Sequence, residues 1–473
     1  MSSIILISCP PGYESERRYI FYVIFTEFLG LTCQLREYLE DKVEIRVLGD
    51  QAGRRLVWPD VLFQTNPSDW LSADSLPKVP LPKWRAQKDL VEATITDPII
   101  PVIYGRSFEG KDEEMWFVQY DHSIYLGIDI AGSAFFMLTR YEEIVLPDRD
   151  KHNRFPAKAS LAYREGFLER PIVDEYIEIL WACMKRLWPE LERRDHSYQL
   201  CLSHDVDQPL ATVNRPWSQV LRNISGDIIK RRDLALAWRR FKSRITRDPM
   251  EDPHNTFDII MDLNERYGLK SAFYFKSGVT NPKYDEHYSL NSPWIRRLIK
   301  CIHERGHEIG FHPSYETYNN PSLFRAELDS FMRVMDELKI SQTRRGGRQH
   351  YLRWENPTTW QIWEEAGLDY DATLGFADYV GFRCGTCREF PVFNIITRKS
   401  LYLRERPLIA MDTTLLSQQY MSLQSEQALD RIERLSGICR CLRGTFSLLW
   451  HNNSLIEPWQ KQLYLEALEV LTK

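Results

Sequence analysis

Residues 198–207 read YQLCLSHDVD, and this stretch decides the fold. An apolar run predicts a β-strand, and it leads directly into one imidazole and two carboxylates, His204, Asp205 and Asp207. About a hundred residues later a second strand-like run ends in the same manner, with HEIGFHPS at residues 307–314. Acids and imidazoles gathered at successive strand ends are how a β/α barrel builds a metal or acid–base site.

The sequence around these motifs alternates between predicted strands and helices from residue 198 onward. Further short apolar strands are predicted at 270–275, 308–312, 407–412 and 445–451. Helices are predicted between them at 256–267, 293–305, 321–338, 358–366 and 426–442. Gly268, Gly306 and Gly367 follow three of these helices, where a C-terminal cap favours glycine. We therefore predict an α/β fold in which residues 198–473 form a (β/α) barrel.

The first part of the chain follows a different pattern. Strands are predicted at 4–8, 43–47, 99–104 and 115–120, and helices at 128–143 and 173–187. We interpret residues 1–190 as an α+β domain joined to the barrel by a polar linker. Nothing in its residues indicates a role.

The composition of the chain indicates a globular protein and argues against several other classes. The chain has 473 residues, of which 43% are hydrophobic and 27% charged, as in soluble globular proteins of two or three domains. A net charge of -5 argues against a general nucleic-acid binder. The N-terminus has no basic region before its apolar residues, so it reads as a strand and not as a signal peptide. Nine scattered cysteines suit a reducing compartment, and we expect a cytoplasmic protein of undetermined oligomeric state.

Three motifs carry a family resemblance. In order and approximate spacing, SHDVD (203–207), GHEIGFH (306–312) and LLWH (448–451) resemble the motifs of polysaccharide deacetylases. That family is carbohydrate esterase family 4, with the NodB-homology fold. The resemblance covers about residues 198–473 and implies a distorted (β/α) barrel that removes acetyl groups from N-acetylated sugars.

The resemblance also implies roles for individual residues. Asp205 matches the family's general base, and Asp207 matches its metal-binding carboxylate. His312 matches the first histidine of the metal motif, and His451 matches the general acid that protonates the departing amine. Arg348 stands where an arginine orients the base. A divalent cation, Zn²⁺ or else Mn²⁺, Co²⁺ or Fe²⁺, is the implied cofactor.

The third metal ligand departs from the family pattern. A second histidine is expected four residues after His312, and this chain has Glu316 there. Three alternatives stay open: Glu316 binds the metal, His350 replaces it, or metal binding is lost. A carboxylate-rich set would favour harder cations such as Mn²⁺. Three residues are also candidates for contacts with the substrate. They are His350 and two aspartates at predicted strand ends, Asp371 and Asp412.

The expected function is a metal-dependent deacetylase for an N- or O-acetylated sugar or polysaccharide precursor, in surface polysaccharide biosynthesis. The alternative is a non-catalytic glycan-binding or assembly protein on a degenerate barrel. A basic insertion at 215–250, with its cations at 222–247, interrupts the barrel pattern. It predicts either peripheral contact with an anionic membrane or a solvated surface helix.

Overall fold

The two halves of the chain each form their own main β-sheet. The computed structural model describes residues 4–109, 114–213, 215–286 and 288–473. Strands before residue 130 form one sheet and a separate strand pair, and strands after residue 198 form the second sheet. In the described ranges, no helix combines the length and the apolar character needed to cross a bilayer.

The first sheet has six strands in the order β2-β1-β3-β4-β8-β7, and β5 pairs with β6 separately. Parallel and antiparallel neighbours are mixed, as expected for an α+β arrangement. The strands of this half are β1 (Ile4–Cys9), β2 (Thr32–Glu37), β3 (Lys42–Val47), β4 (Arg55–Pro59), β5 (Lys83–Arg85), β6 (Ile99–Pro101), β7 (Phe117–Tyr120) and β8 (Ser123–Leu126).

One helix predicted in this half is two helices in the structure. Residues 128–143 carry helical spacing, but Arg140 adopts a left-handed backbone conformation (φ 53°) and divides them. The buried Arg140 guanidinium pairs there with Glu142 and Glu143. The helices of this half are α1 (Glu14–Phe21), followed by a π-helical turn (Tyr22–Phe28), α2 (Ala86–Asp89), α3 (Ile130–Leu138), α4 (Glu142–Val145), α5 (Leu161–Arg164) and α6 (Ile172–Leu187).

The second sheet has nine strands in the order β14-β15-β13-β12-β11-β10-β9-β17-β16. All neighbours are parallel except β14 and β15, so the predicted parallel β/α sheet is confirmed. The strands are β9 (Gln199–Val206), β10 (Ser271–Phe275), β11 (Glu308–Phe311), β12 (Gly346–Gly347), β13 (Tyr370–Asp371), β14 (Phe390–Asn394), β15 (Lys399–Glu405), β16 (Ala410–Met411) and β17 (Thr445–Leu449).

A regular closed barrel is not seen in the described part of the chain, because β14 and β16 are edges of the ladder. The predicted strand 407–412 is reduced to the two residues of β16. Single backbone hydrogen bonds cross the gap: Leu408 donates to the carbonyl of Leu374 (3.0 Å), and Ile409 donates to that of Ser447 (3.3 Å). Pro407, which lies between β15 and β16 along the chain, lacks an N–H and cannot donate a ladder hydrogen bond.

The helices of the second half are α7 (Trp217–Gly226), followed by a π-helical turn (Asp227–Arg231), α8 (Leu234–Thr246), α9 (Phe257–Arg266), α10 (Pro293–Glu304), α11 (Pro321–Glu337), α12 (Thr358–Glu365), α13 (Asp412–Leu416), α14 (Ser425–Cys441) and α15 (Pro458–Thr472). The five predicted helices, which correspond to α9, α10, α11, α12 and α14, begin and end close to their predicted positions. Gly268, Gly306 and Gly367 adopt the left-handed conformation after α9, α10 and α12.

The two halves pack together through a continuous apolar core and buried polar contacts. The Arg383 guanidinium pairs with Glu143, and both side chains are about 2% exposed. The Tyr19 hydroxyl donates to the carbonyl of Pro391 at 2.9 Å.

Cys384 and Cys387, the CxxC pair of the sequence, are buried free thiols.

Candidate metal centre

The C-terminal ends of three parallel strands bring the polar motifs to one edge of the second sheet. Asp205 lies near the end of β9, and Asp207 follows that strand directly. His312 follows β11, and His451 follows β17. Since parallel strands end on the same side of a sheet, residues far apart in sequence meet there.

Asp207, His312 and His350 form a cluster whose three donor atoms all lie within 4.8 Å of one another. The Asp207 Oδ1 atom is 3.0 Å from His312 Nε2 and 3.3 Å from His350 Nε2. Both imidazoles are buried, and the Asp207 side chain is 24% exposed. One carboxylate and two imidazoles are a donor set that suits Zn²⁺ and similar divalent cations.

The second ring nitrogens support the same interpretation. His312 Nδ1 lies 2.5 Å from the carbonyl oxygen of Arg348, and because a carbonyl only accepts, this nitrogen donates. His350 Nδ1 lies 2.7 Å from Asp285 Oδ1, which again fixes Nδ1 as the donor. In the neutral rings, both Nε2 lone pairs therefore face the Asp207 carboxylate, an arrangement that a shared cation stabilises.

The same contacts shift the pKa values of Asp207 and His350. Burial alone would raise the pKa of Asp207, but the imidazoles of His350 and His312 hold it well below its usual range. Burial and Lys276 lower the pKa of His350, and the carboxylates of Asp207 and Asp285 overcome both, so the net shift is upward.

A glycine positions His350 beside His312. The strand β12 is pressed so closely against β11 that a Cβ atom on Gly347 would lie 1.7 Å from the carbonyl oxygen of Phe311. The next residue, Arg348, donates its backbone N–H to the same oxygen at 3.1 Å. Only glycine allows this approach, and it brings the loop that carries His350 into the cluster.

The structure does not bring Glu316 to this cluster. Its carboxylate accepts hydrogen bonds from Asn281 Nδ2 (3.0 Å) and from the Arg353 guanidinium (2.8 Å), and the side chain is 41% exposed. Of the two ligand alternatives that the sequence leaves open, the geometry therefore favours His350.

Asp205 is held by the arginine that the resemblance indicates. The Arg348 guanidinium donates to Asp205 Oδ1 at 2.8 Å and to the Ser203 hydroxyl at 2.9 Å. Its Nε donates to the carbonyl of Ala372 at 2.8 Å. The other carboxylate oxygen, Asp205 Oδ2, lies 3.8 Å from His312 Nε2, so it faces the cluster.

His451 forms a pair with the buried Asp412. Its Nδ1 donates to Asp412 Oδ1 at 2.7 Å, and its backbone N–H donates to Oδ2 at 3.1 Å. The free nitrogen, Nε2, lies 3.6 Å from Asp207 Oδ2. Burial alone would lower the pKa of His451, but the Asp412 carboxylate raises it to about 10. The Asp207 and Asp205 carboxylates act in the same direction, so this environment favours the protonated ring.

Asp371 and Asp412, expected as substrate contacts, do not reach the surface of the site. Both are 0% exposed. Asp371 accepts from the backbone and hydroxyl of Thr373 within its own turn, and burial raises its pKa to about 7. Asp412 is occupied by His451. Because neither carboxylate is accessible, both act on their neighbours and not on a sugar.

A cavity of about 490 Å³ opens over this centre. Asp205, Asp207, His350 and His451 lie at its base. Its lining also contains aromatic and cationic side chains that the sequence did not single out: Lys151, His152, Arg154, Lys283, Tyr284 and Tyr420.

Three of these residues come from the first half of the chain. His152 Nδ1 bonds the hydroxyl of Tyr315 at 2.9 Å, and Arg154 donates to the carbonyl of Tyr351 at 2.8 Å. Arg353, the partner of Glu316, donates to the carbonyl of His152 at 2.9 Å. The polar run DKHNR at 150–154 is a weak signal for such a loop, and only the fold shows which surface it covers.

Comparisons with known proteins add little to this geometry. Residues 5–189 match the model of a family of unknown function, DUF7033. No curated protein shows significant similarity to the chain.

Several solved structures show a distant likeness. A protein from Mycobacterium smegmatis assigned as a polysaccharide deacetylase is 14% identical, with a TM-score of 0.39 over 59% of this chain and 85% of that one. One so assigned from Pseudomonas aeruginosa PAO1 is 13% identical, with a TM-score of 0.36 over 66% and 90%. The carbohydrate deacetylase Agd3 is 8% identical, with a TM-score of 0.35 over 100% and 85%. At these values, the likeness carries no inference about the reaction.

Proposed function

We propose that the protein is a metal-dependent deacetylase that hydrolyses the acetamido group of an N-acetylated sugar. The observation that carries the proposal is the convergence of Asp207, His312 and His350 beside two further groups. These are the Asp205–Arg348 pair and the His451–Asp412 pair, at the same edge of one sheet. The motif resemblance to polysaccharide deacetylases supports it.

Asp207, His312 and His350 would hold the cation. When bound, a divalent cation supplies Lewis-acid polarisation of the amide carbonyl and makes water more acidic. Asp285 and the carbonyl of Arg348 fix the two imidazole rings in the orientation that this binding needs.

In this proposal, Asp205 is the general base. Arg348 holds its Oδ1 atom, and Oδ2 remains free on the side of the cluster. That oxygen accepts the proton of the attacking water as the water oxygen bonds to the carbonyl carbon.

In this proposal, His451 is the general acid. The buried Asp412 keeps its ring protonated and fixes its orientation through Nδ1. The Nε2 proton goes to the amide nitrogen as the C–N bond breaks, so acetate and a free amino sugar leave. The step consumes one water and no other reactant.

The cavity suits a sugar ring. Tyr284, Tyr351 and Tyr420 offer aromatic surfaces, and the loop around His152 closes one side. An acetylated precursor of a surface polysaccharide is the proposed substrate, and cleavage of an O-acetyl ester at the same centre is the related reaction to test beside it.

The non-catalytic alternative rested on the missing second histidine after His312. His350 offers a second imidazole from another strand end, so the missing histidine no longer favours the non-catalytic alternative.

The test is an acetate-release assay on N-acetylglucosamine oligomers with the parent protein and Asp205→Asn. We expect the variant to keep its metal content and to lose acetate release, because the proton acceptor is removed and the ligands remain. Glu365→Gln, an exposed change on α12, is the control and should retain activity. Parent-like activity in Asp205→Asn would count against the proposal.

A further inference from the structure

The insertion between β9 and α9 exposes an unusual concentration of large apolar side chains. Nine of the 23 large hydrophobic residues that are exposed in the described chain lie within residues 217–250. We call them the insertion face: Trp217, Leu221, Ile228, Ile229, Leu234, Trp238, Phe241, Ile245 and Met250. A monomeric soluble protein rarely exposes such a patch unless it binds something.

The exposed apolar residues of α7 and α8 adjoin one another. On α8, the exposed positions 234, 238, 241 and 245 follow helical spacing, while Leu236, Ala237 and Ser243 of the opposite side are buried. The ring of Phe241 lies 5.7 Å from that of Trp238 and 6.4 Å from that of Trp217 on α7. The two helices therefore present a shared apolar stripe.

Buried polar contacts fix the shape of the insertion. The buried carboxylate of Asp227 pairs with Arg240 (2.6 Å) and Arg231 (2.9 Å). Asp252 accepts from the backbone N–H groups of Ala211 (2.7 Å) and Thr212 (2.9 Å). The Asp227 pairs brace the insertion internally, and the Asp252 bonds tie the residues that flank its two ends to each other. Arg231 also pairs with Glu457, outside the insertion, at 3.0 Å.

Cations surround the apolar stripe. Residues 217–247 contain nine Lys and Arg residues and two carboxylates, although the whole chain has a net charge of -5. Both carboxylates have internal partners: Asp227 is buried, and Asp233 caps the N-terminus of α8 through Leu236 N–H (2.8 Å). Of these nine cations, Arg231, Arg240 and Lys242 form ion pairs with described residues. The other six have no ion pair within the described part of the chain: Arg222, Lys230, Arg232, Arg239, Arg244 and Arg247, of which Arg244 lies over the ring of Trp217.

We propose that the insertion face docks the protein on an anionic phospholipid bilayer, with Trp238 and its apolar neighbours entering the headgroup region. Apolar and aromatic side chains flanked by cations are the composition of interfacial helices. A second copy of the chain fits poorly, because it would bring a cationic face against a cationic face. The inference stands independently of the proposed reaction.

The experiment is co-sedimentation of the full chain with vesicles of phosphatidylcholine alone and with about 30 mol% phosphatidylserine. We expect binding to the anionic vesicles, weak binding to the neutral ones, and release at high salt because the cations are screened.

Two double variants separate the two contributions. Lys230→Gln with Arg239→Gln should lower partitioning by roughly 25-fold, at about fivefold for each cation. Trp238→Ser with Ile245→Ser should lower it by about tenfold or more, through lost apolar burial. The matched control is Tyr402→Ser with Lys399→Gln on β15, an exposed aromatic and cation elsewhere, and it should bind as the parent does.

All substituted positions are exposed or partly exposed, and thermal unfolding checks that each variant folds. The proposal is overturned if the parent does not sediment with anionic vesicles at low salt, or if the control loses as much binding as the face variants. A concentration-dependent dimer that Trp238→Ser with Ile245→Ser dissociates, without vesicle binding, would overturn it in favour of self-association. Acetate release by the soluble enzyme is a separate readout that none of these outcomes affects.

Discussion

Replacing His350 and Glu316 in turn separates the two metal-ligand alternatives. His350→Gln removes one of the three donor atoms at the centre while keeping a polar side chain of similar size. Glu316→Gln is the matched variant, because it neutralises the residue at the position where the family pattern places a ligand.

The expected magnitudes follow from the contacts. His350 Nε2 lies 3.3 Å from Asp207 Oδ1, and Asp285 fixes the ring at 2.7 Å. Since loss of a residue that only supports a ligand costs 10- to 100-fold in affinity, loss of the ligand itself should cost at least about 100-fold, or about 2.7 kcal/mol. Glu316 contacts only Asn281 and Arg353 and is 41% exposed, so its replacement should leave metal affinity unchanged.

The assay is competition for Zn²⁺ and Co²⁺ against a chromophoric chelator, at constant pH and with apo protein of verified fold. The reasoning is refuted if Glu316→Gln weakens binding as much as His350→Gln does. It is equally refuted if His350→Gln binds both ions as tightly as the parent.

Three further predictions concern stability and the cavity. Gly347→Ala should lower the free energy of unfolding by about 3 kcal/mol or more in urea titrations, because the new Cβ would lie 1.7 Å from the carbonyl oxygen of Phe311. Unchanged stability would contradict the close approach of the two strands. Burial lowers the pKa of His204 to about 4 from 6.5, so the unfolded chain takes up the proton first as pH falls. Stability should therefore be lost between pH 6.5 and 4, by ~3 kcal/mol from this group, and His204→Gln should flatten that part of the pH profile. Arg353→Gln should raise KM with metal content unchanged, because it frees the loop carbonyl of His152 (2.9 Å); an unchanged KM would show that the loop does not contact substrate.

The sequence predicts what depends on local pattern. Strand β9 is predictable because the apolar run 198–202 leads into charged residues. In the structure the strand continues to Val206, because Asp205 and Val206 are themselves paired with β10. The role of His350 is not visible locally, since it depends on Gly347 packing against a strand 36 residues earlier. Glu316 lies four residues after His312, as the family pattern requires of a ligand. Its carboxylate nevertheless pairs with Arg353, 37 residues later, and not with the metal cluster.

The first half of the chain shows the same limit. Its strands 4–8 and 43–47 are predicted from a short apolar run and from alternating apolar residues, and they appear as β1 and β3. That a loop of this half, carrying His152, lines the cavity of the second half could not be predicted, because it requires the packing of two sheets.

The most direct test of the central claim is an anomalous-scattering experiment on crystals of the full chain grown with Zn²⁺. We expect one strong peak about 2.1 Å from a carboxylate oxygen of Asp207 and from the Nε2 atoms of His312 and His350. A peak that involves Glu316 in place of His350, or no peak beside Asp207 at all, would contradict the account.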